Sequence, residues 1–184
     1  LLQRLKCKPF FIACSETWNL EHHDFFAIEN YELYYNNSRI NRSDGVVVYI
    51  RNDIVEETDI VEAGRVRILN TIMRLNDSKE IMISALYRSH DIPKTEFICS
   101  VKKFLTENKN VKNHYIIGDF NIDLFEQDVL TLEFLNNFME RGFSPGFLKI
   151  TRPNKNPNEG SCIDNCFFKT DNIVTETFSL ANSF

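Results

Sequence analysis

Asp119 and Asn121 stand two residues apart at the end of the hydrophobic run in His114-Tyr115-Ile116-Ile117-Gly118-Asp119-Phe120-Asn121-Ile122-Asp123-Leu124. A carboxylate there can take a proton and a carboxamide can donate hydrogen bonds, a pairing suited to holding a water beside a phosphate. The same residues also spell a strand end followed by a turn or a helix cap. Three further segments set polar groups beside apolar runs. Glu16-Thr17-Trp18 follows Phe10-Phe11-Ile12-Ala13-Cys14, and Tyr87-Arg88 ends Ile81-Met82-Ile83-Ser84-Ala85-Leu86. Thr151-Arg152-Pro153 precedes Ser161-Cys162-Ile163-Asp164-Asn165-Cys166-Phe167-Phe168.

Strands must carry these groups, with a few helices to cover them. Alternation and β-branched content place strands at about 10–15, 31–35, 45–50, 65–75, 80–87, 114–118, 162–168 and 173–179, with Asn76 to Lys79 as a hairpin turn. Phe97, Val101, Phe104 and Leu105 recur at helical spacing across about 94–108. Leu132, Leu135, Phe138 and Met139 do so across about 128–141, with Gly142 as the stop. Gly118 is expected to let the backbone turn, after which Asp119 and Asn121 project to the same side by two-residue alternation.

Composition bounds the classes. With 43% hydrophobic residues and 16 Phe in 184 residues, the chain can build one sizeable core, so one domain is expected over 1–184. Its longest apolar runs, such as Val46-Val47-Val48-Tyr49-Ile50, are far too short to span a bilayer, and no membrane partner is expected. The five Cys are odd in number, without CxxC or a His at zinc-finger spacing, and read as buried thiols in a reducing compartment. Cys162 and Cys166 share a face if their segment is one strand.

The net charge of -5 runs against nucleic-acid binding, which draws on Lys and Arg to neutralise phosphates. Local basic groups can carry it instead: Arg39, Arg42 and Arg51, Arg65 and Arg67, and above all Lys149, Arg152 and Lys155, which flank the Thr151-Arg152 segment. Lys102 and Lys103 read as the solvated face of a helix.

Taken in order, Ser-Glu-Thr-Trp at 15–18, Tyr87-Arg88, Gly118-Asp119-Phe120-Asn121-Ile122-Asp123-Leu124, Thr151-Arg152 and Ser161-x-Ile163-Asp164 resemble the endonuclease/exonuclease/phosphatase superfamily. Within it the set is most similar to the endonuclease domain of LINE-type, jockey-like non-LTR retrotransposon polyproteins. The resemblance runs from Glu16 to Asp164. It implies an α/β fold in which two packed β-sheets are flanked by helices, the deoxyribonuclease I-like four-layer sandwich. It also implies metal-dependent phosphodiester hydrolysis with Mg²⁺, or Mn²⁺ in its place, held by Glu16. Asp119 then activates the water, Asn121 hydrogen-bonds the scissile phosphate or the water, and Tyr87 places its hydroxyl near the developing charge. Thr151 supports the phosphate-side hydrogen bonds and Asp164 orients a catalytic His. The implied partners are DNA, nicked in the nucleus to prime reverse transcription, and a reverse-transcriptase domain in the same polyprotein.

The superfamily opens on a strand ending in Asn and closes on a Ser-Asp-His strand, and neither motif occurs in these 184 residues. The expectation is therefore a domain truncated at both termini, poorly stable and inactive by itself. His114 cannot replace the missing His, because five strand residues put it roughly 16 Å from Asp119. His90 sits near Tyr87, and His22 and His23 read as loop residues. Two other readings share the same residues: a superfamily phosphodiesterase or phosphatase acting on abasic DNA, phosphoinositides or sphingomyelin, and a catalytically dead remnant serving as a binding module.

Overall fold

Every residue from Val46 to Ile50 is buried, although the run is only one strand deep, so both of its faces must be covered. The computed structural model shows how. It describes residues 8–18, 26–36, 44–63, 65–74, 80–156 and 158–171, apart from the side chains of 55–60 and 62. β1 (Phe11–Ser15), β2 (Tyr31–Asn36) and β3 (Val46–Arg51) form an antiparallel sheet with β3 in the middle. By alternation Val46, Val48 and Ile50 point to one side, while Val47 and Tyr49 point to the other and pack with Tyr31.

β4 (Val55–Ala63), β5 (Val66–Arg74), β6 (Glu80–Tyr87), β7 (His114–Asp119), β8 (Ser144–Pro145) and β11 (Asp164–Lys169) form the second sheet, in the order β4-β5-β6-β7-β11-β8. β9 (Arg152–Pro153) and β10 (Gly160–Ser161) make a separate two-stranded ribbon. β6 and β7 run parallel, a geometry that needs a crossover, and α1 (Lys94–Glu107) supplies it. Leu69, Met73, Ile83, Ala85 and Tyr87 meet the Val46, Val48 and Ile50 face of β3 between the sheets.

The opposite face of the large sheet is covered by α1 and α2 (Val129–Met139). Phe97, Phe104, Phe120, Phe134, Phe138 and Phe167 are all fully buried there, and the Phe138 and Phe167 rings stack at 4.0 Å. Burying a ring of this size is worth about 2 to 3 kcal/mol of transfer free energy, so this aromatic layer is the main anchor of both helices. Asp128 caps α2, its carboxylate accepting from the backbone N–H groups of Leu130 and Thr131. Gly142, at φ +80, terminates the segment as expected.

Most strand and helix positions match the sequence expectations, and the differences have physical causes. β4 was not foreseen: Val55-Glu56-Glu57-Thr58-Asp59-Ile60 is too acidic to read as a strand, yet its backbone pairs with β5 along its whole length. The buried face of α2 is set by Phe134 and Phe138, one turn apart, whereas Leu132 and Met139 are 49% and 61% exposed. Cys14 and Cys99 are exposed rather than buried, Cys14 along the gap between the sheets and Cys99 on the outer side of α1. Cys162 precedes β11 and joins the helix-side core, while Cys166 lines the inter-sheet gap, so the two do not share a face. The segments 76–79 and 173–179, Cys7, His22, His23, Arg39 and Arg42 lie outside the described residues.

Candidate active site

Parallel pairing of β6 with β7 brings their carboxyl ends to one edge of the sheet, and antiparallel β11 begins at that same edge. Tyr87 is in register with Asp119, and Asp119 with Asp164. In-register neighbours point to one face, here the face toward the three-stranded sheet. That smaller sheet contributes Glu16, immediately after β1, where Ser15 pairs with Val46. Glu16 has φ +53, a left-handed conformation rare outside Gly. Its carboxylate accepts a 2.9 Å hydrogen bond from the Tyr87 hydroxyl, which bridges the two sheets.

Asn121 reaches the site by another route than strand alternation. β7 stops at Asp119, and Asn121 adopts φ +48, its own N–H donating to Asp119 Oδ1 at 2.9 Å. Its side-chain Nδ2 donates to the carbonyl of Arg88 at 2.8 Å. Gly118, expected as the turning point, lies inside β7. A Cβ there would sit 1.8 Å from the carbonyl oxygen of Leu86, so the glycine permits close approach of β6 and β7. Thr151 Oγ1 accepts from the N–H groups of Ile163 and Asp164 at 3.1 and 3.2 Å, fixing the start of β11. These two bonds do not use its hydroxyl hydrogen.

The electrostatics are those of crowded acids. Burial raises the Asp119 carboxyl to about 6; the Asn121 N–H pulls it down, the Asp164 and Glu16 charges push it up, and Arg152 opposes them. Burial, then the bond and charge of Glu16, raise the Tyr87 phenol, so its hydroxyl remains a donor at neutral pH. Asp44, also fully buried, adds to that effect.

The structure thus brings together Glu16, Tyr87, Asp119, Asn121, Thr151 and Asp164. Arg152 lies near enough to act on Asp119, whereas Lys149 rests 6.0 Å from the Phe147 ring and Lys155 is exposed. Arg65 pairs with Glu96, Arg67 donates to Asn36, and Arg51 donates to Asp53. His90 is exposed, and His114 is fully buried at the far end of β7 with Ser84 Oγ 2.7 Å from its Nε2. Asp44 and the buried Arg88 escaped sequence reasoning as site residues. The only available signal was their adjacency to Gly45 and Tyr87.

Oxygen donors of this kind suit a hard cation. Glu16, Asp119 and Asp164 repel one another, a charge a cation would relieve, although no group of three His, Cys, Asp or Glu among the described residues is gathered tightly enough to enclose one. Burial raises the thiols of Cys162 and Cys166, the latter to about 12, which keeps these two protonated and poor ligands.

No protein-family model and no curated protein matches the chain. Solved structures do. A conserved protein of unknown function from Enterococcus faecalis V583 superposes with a TM-score of 0.62 at 13% identity, over 87% of this chain and 73% of that one. An endonuclease/exonuclease/phosphatase family protein from Leptotrichia buccalis gives 0.56 at 17% identity, over 86% and 75%. The catalytic domain of APE2 from Xenopus laevis gives 0.57 at 16% identity, over 87% and 74%. The chain therefore has the mixed α/β, deoxyribonuclease I-like fold of endonuclease/exonuclease/phosphatase proteins.

Proposed function

We propose that this site hydrolyses phosphodiester bonds. The observation that carries the reading is the register of Tyr87, Asp119 and Asp164 on three neighbouring strands, with Glu16 joined to Tyr87 across the gap. Asp119 takes the proton of the attacking water. Its carboxyl, raised to about 6, is ionised at neutral pH yet more basic than an ordinary aspartate. Tyr87 donates its one hydroxyl hydrogen to Glu16 and so sets that carboxylate, while Asn121, held by one Nδ2–H on the Arg88 carbonyl, offers the second Nδ2–H to the phosphate. Thr151 acts through the backbone of Asp164. Glu16 would hold Mg²⁺ or Mn²⁺, which supplies positive charge against the developing negative charge on phosphate.

In the finer reading, drawn from the sequence resemblance, the substrate is DNA. The cut is made in the nucleus and primes a reverse transcriptase in the same polyprotein. The test uses the product of the complete reading frame with supercoiled plasmid and Mg²⁺, followed by primer extension from the cut. Nicks bearing an extendable 3′-hydroxyl are expected. With abasic DNA, phosphoinositide and sphingomyelin assayed alongside, cleavage of one of these alone would move the protein to another phosphodiesterase class, and no cleavage of any of them would leave a binding module.

A further inference from the structure

The guanidinium of Arg88 is buried, and it donates three hydrogen bonds, all to backbone carbonyls. Nε donates to Phe120 O at 2.8 Å, Nη2 to Asn121 O at 2.6 Å and Nη1 to Ile92 O at 2.6 Å. The Arg88 backbone joins in. Its N–H donates to Asp119 O at 3.0 Å, and its carbonyl accepts from Asn121 Nδ2 at 2.8 Å. Five hydrogen bonds from one residue therefore hold residues 119 to 121 and the segment entering α1.

Burying a cation is costly unless its donors are satisfied, and an aliphatic side chain would fill the same space without that cost. A planar five-donor fork can do what an aliphatic chain or a Lys cannot, which is to grip diverging carbonyls in fixed directions. What it grips is a left-handed turn at Asn121, φ +48, which Asn tolerates better than most residues but which its local sequence does not fix by itself. Residue 88 follows Tyr87 in β6, so its side chain leaves the opposite face of the sheet. Arg88 thus works from behind the site while Tyr87 works within it.

Resting on the phosphodiesterase reading above, we propose that Arg88 is a positioning residue. Its guanidinium holds the turn Asp119-Phe120-Asn121 in the left-handed conformation that presents the Asp119 carboxylate and the Asn121 carboxamide together. It touches no substrate. The sequence shows it only as the second residue of Tyr87-Arg88, and the structure supplies the role.

The experiment compares Arg88→Lys with wild type in the product of the complete reading frame, in plasmid nicking with Mg²⁺ and by NMR of the Asn121 side-chain amide. Arg88→Lys keeps the charge and loses the fork. The expected result is a fall in kcat of roughly 100-fold per folded molecule, KM for DNA within about threefold, and a shifted Asn121 amide signal. A purely structural role would lower the melting temperature but leave kcat per folded molecule unchanged, and that outcome overturns the proposal. If Arg88→Lys does not fold, the wild-type protein decides: the Arg88 Nε–H must exchange with solvent at least about 100-fold more slowly than in free arginine, and fast exchange overturns the clamp. If wild type cleaves no phosphodiester, the function fails by itself, and the amide shift and the Nε–H protection still judge the clamp.

Discussion

Tyr87 and Glu16, 71 positions apart in sequence, share a 2.9 Å hydrogen bond between the two sheets at the end where Asp119 and Asp164 lie side by side. That bond fixes the geometry of an otherwise exposed carboxylate on a left-handed backbone.

Removing it should separate catalysis from stability. Tyr87→Phe keeps the packed ring and deletes the donor, so the melting temperature should change by the equivalent of about 1 kcal/mol or less. The nicking rate should fall roughly 100-fold, because a preorganised donor is lost and Glu16 is free to rotate. Thermal melts and initial rates on the same preparation measure both.

Asp119 should show the opposite trade. Its folded carboxyl titrates at about 6 against an ordinary 3.8. Its contribution is therefore most favourable below the unfolded value and is lost as pH rises through about 6, a cost of up to about 3 kcal/mol on the alkaline side. Asp119→Asn keeps an acceptor for the Asn121 N–H and removes the charge. At about pH 8 and without divalent cation it should melt at a higher temperature than wild type while losing activity.

His114 gives a pH dependence of the other sign. Burial holds its imidazole down at about 3, with the Lys169 charge assisting, so it stays neutral in the fold, and its buried Nδ1 has no hydrogen-bond partner among the described residues. The unfolded chain binds a proton near 6.5, hence stability is full above that value and is lost as pH falls toward 3, by up to about 1.4 kcal/mol per pH unit. Denaturant titrations from about pH 7 to pH 4 should show this slope in wild type and a flatter one in His114→Phe, which puts a non-titrating ring beside Phe104 and Phe143.

Gly118→Ala should be severe for its size. The added Cβ meets the Leu86 carbonyl, a backbone atom that can yield only if β6 and β7 separate. A loss of about 3 kcal/mol or more is expected. Soluble yield and melting temperature report it.

Much of this was legible in the sequence because strands and buried helices announce themselves by period. β3 reads directly from Val46-Val47-Val48-Tyr49-Ile50, and α1 from Phe97, Val101, Phe104 and Leu105. β4 did not, since its pairing is a backbone property that its acidic side chains conceal. In the site, Asp119 and Asn121 were visible as a pair, but alternation gave the wrong reason for their convergence. A left-handed turn held by Arg88 replaces the pleat, and nothing local to Asn121 encodes a clamp from a residue 33 positions earlier. Gly118 was read as a turn because glycine signals both turns and close approach, and only the neighbouring strand distinguishes them. The thiol of Cys14 was misplaced for a similar reason, since an apolar run does not reveal which residues line a gap of about 220 Å³ between sheets.

Supercoiled plasmid nicking by the product of the complete reading frame, with Mg²⁺, with chelator, and with Asp119→Ala, bears most directly on the convergent site as a phosphodiesterase. Wild type should convert supercoiled to open-circular plasmid only when the cation is present, and Asp119→Ala, equally well folded, should slow that conversion by at least about 1,000-fold. Conversion by Asp119→Ala at the wild-type rate, or at equal rates with chelator, would show that the cluster of Glu16, Tyr87, Asp119 and Asp164 is not where the chemistry occurs.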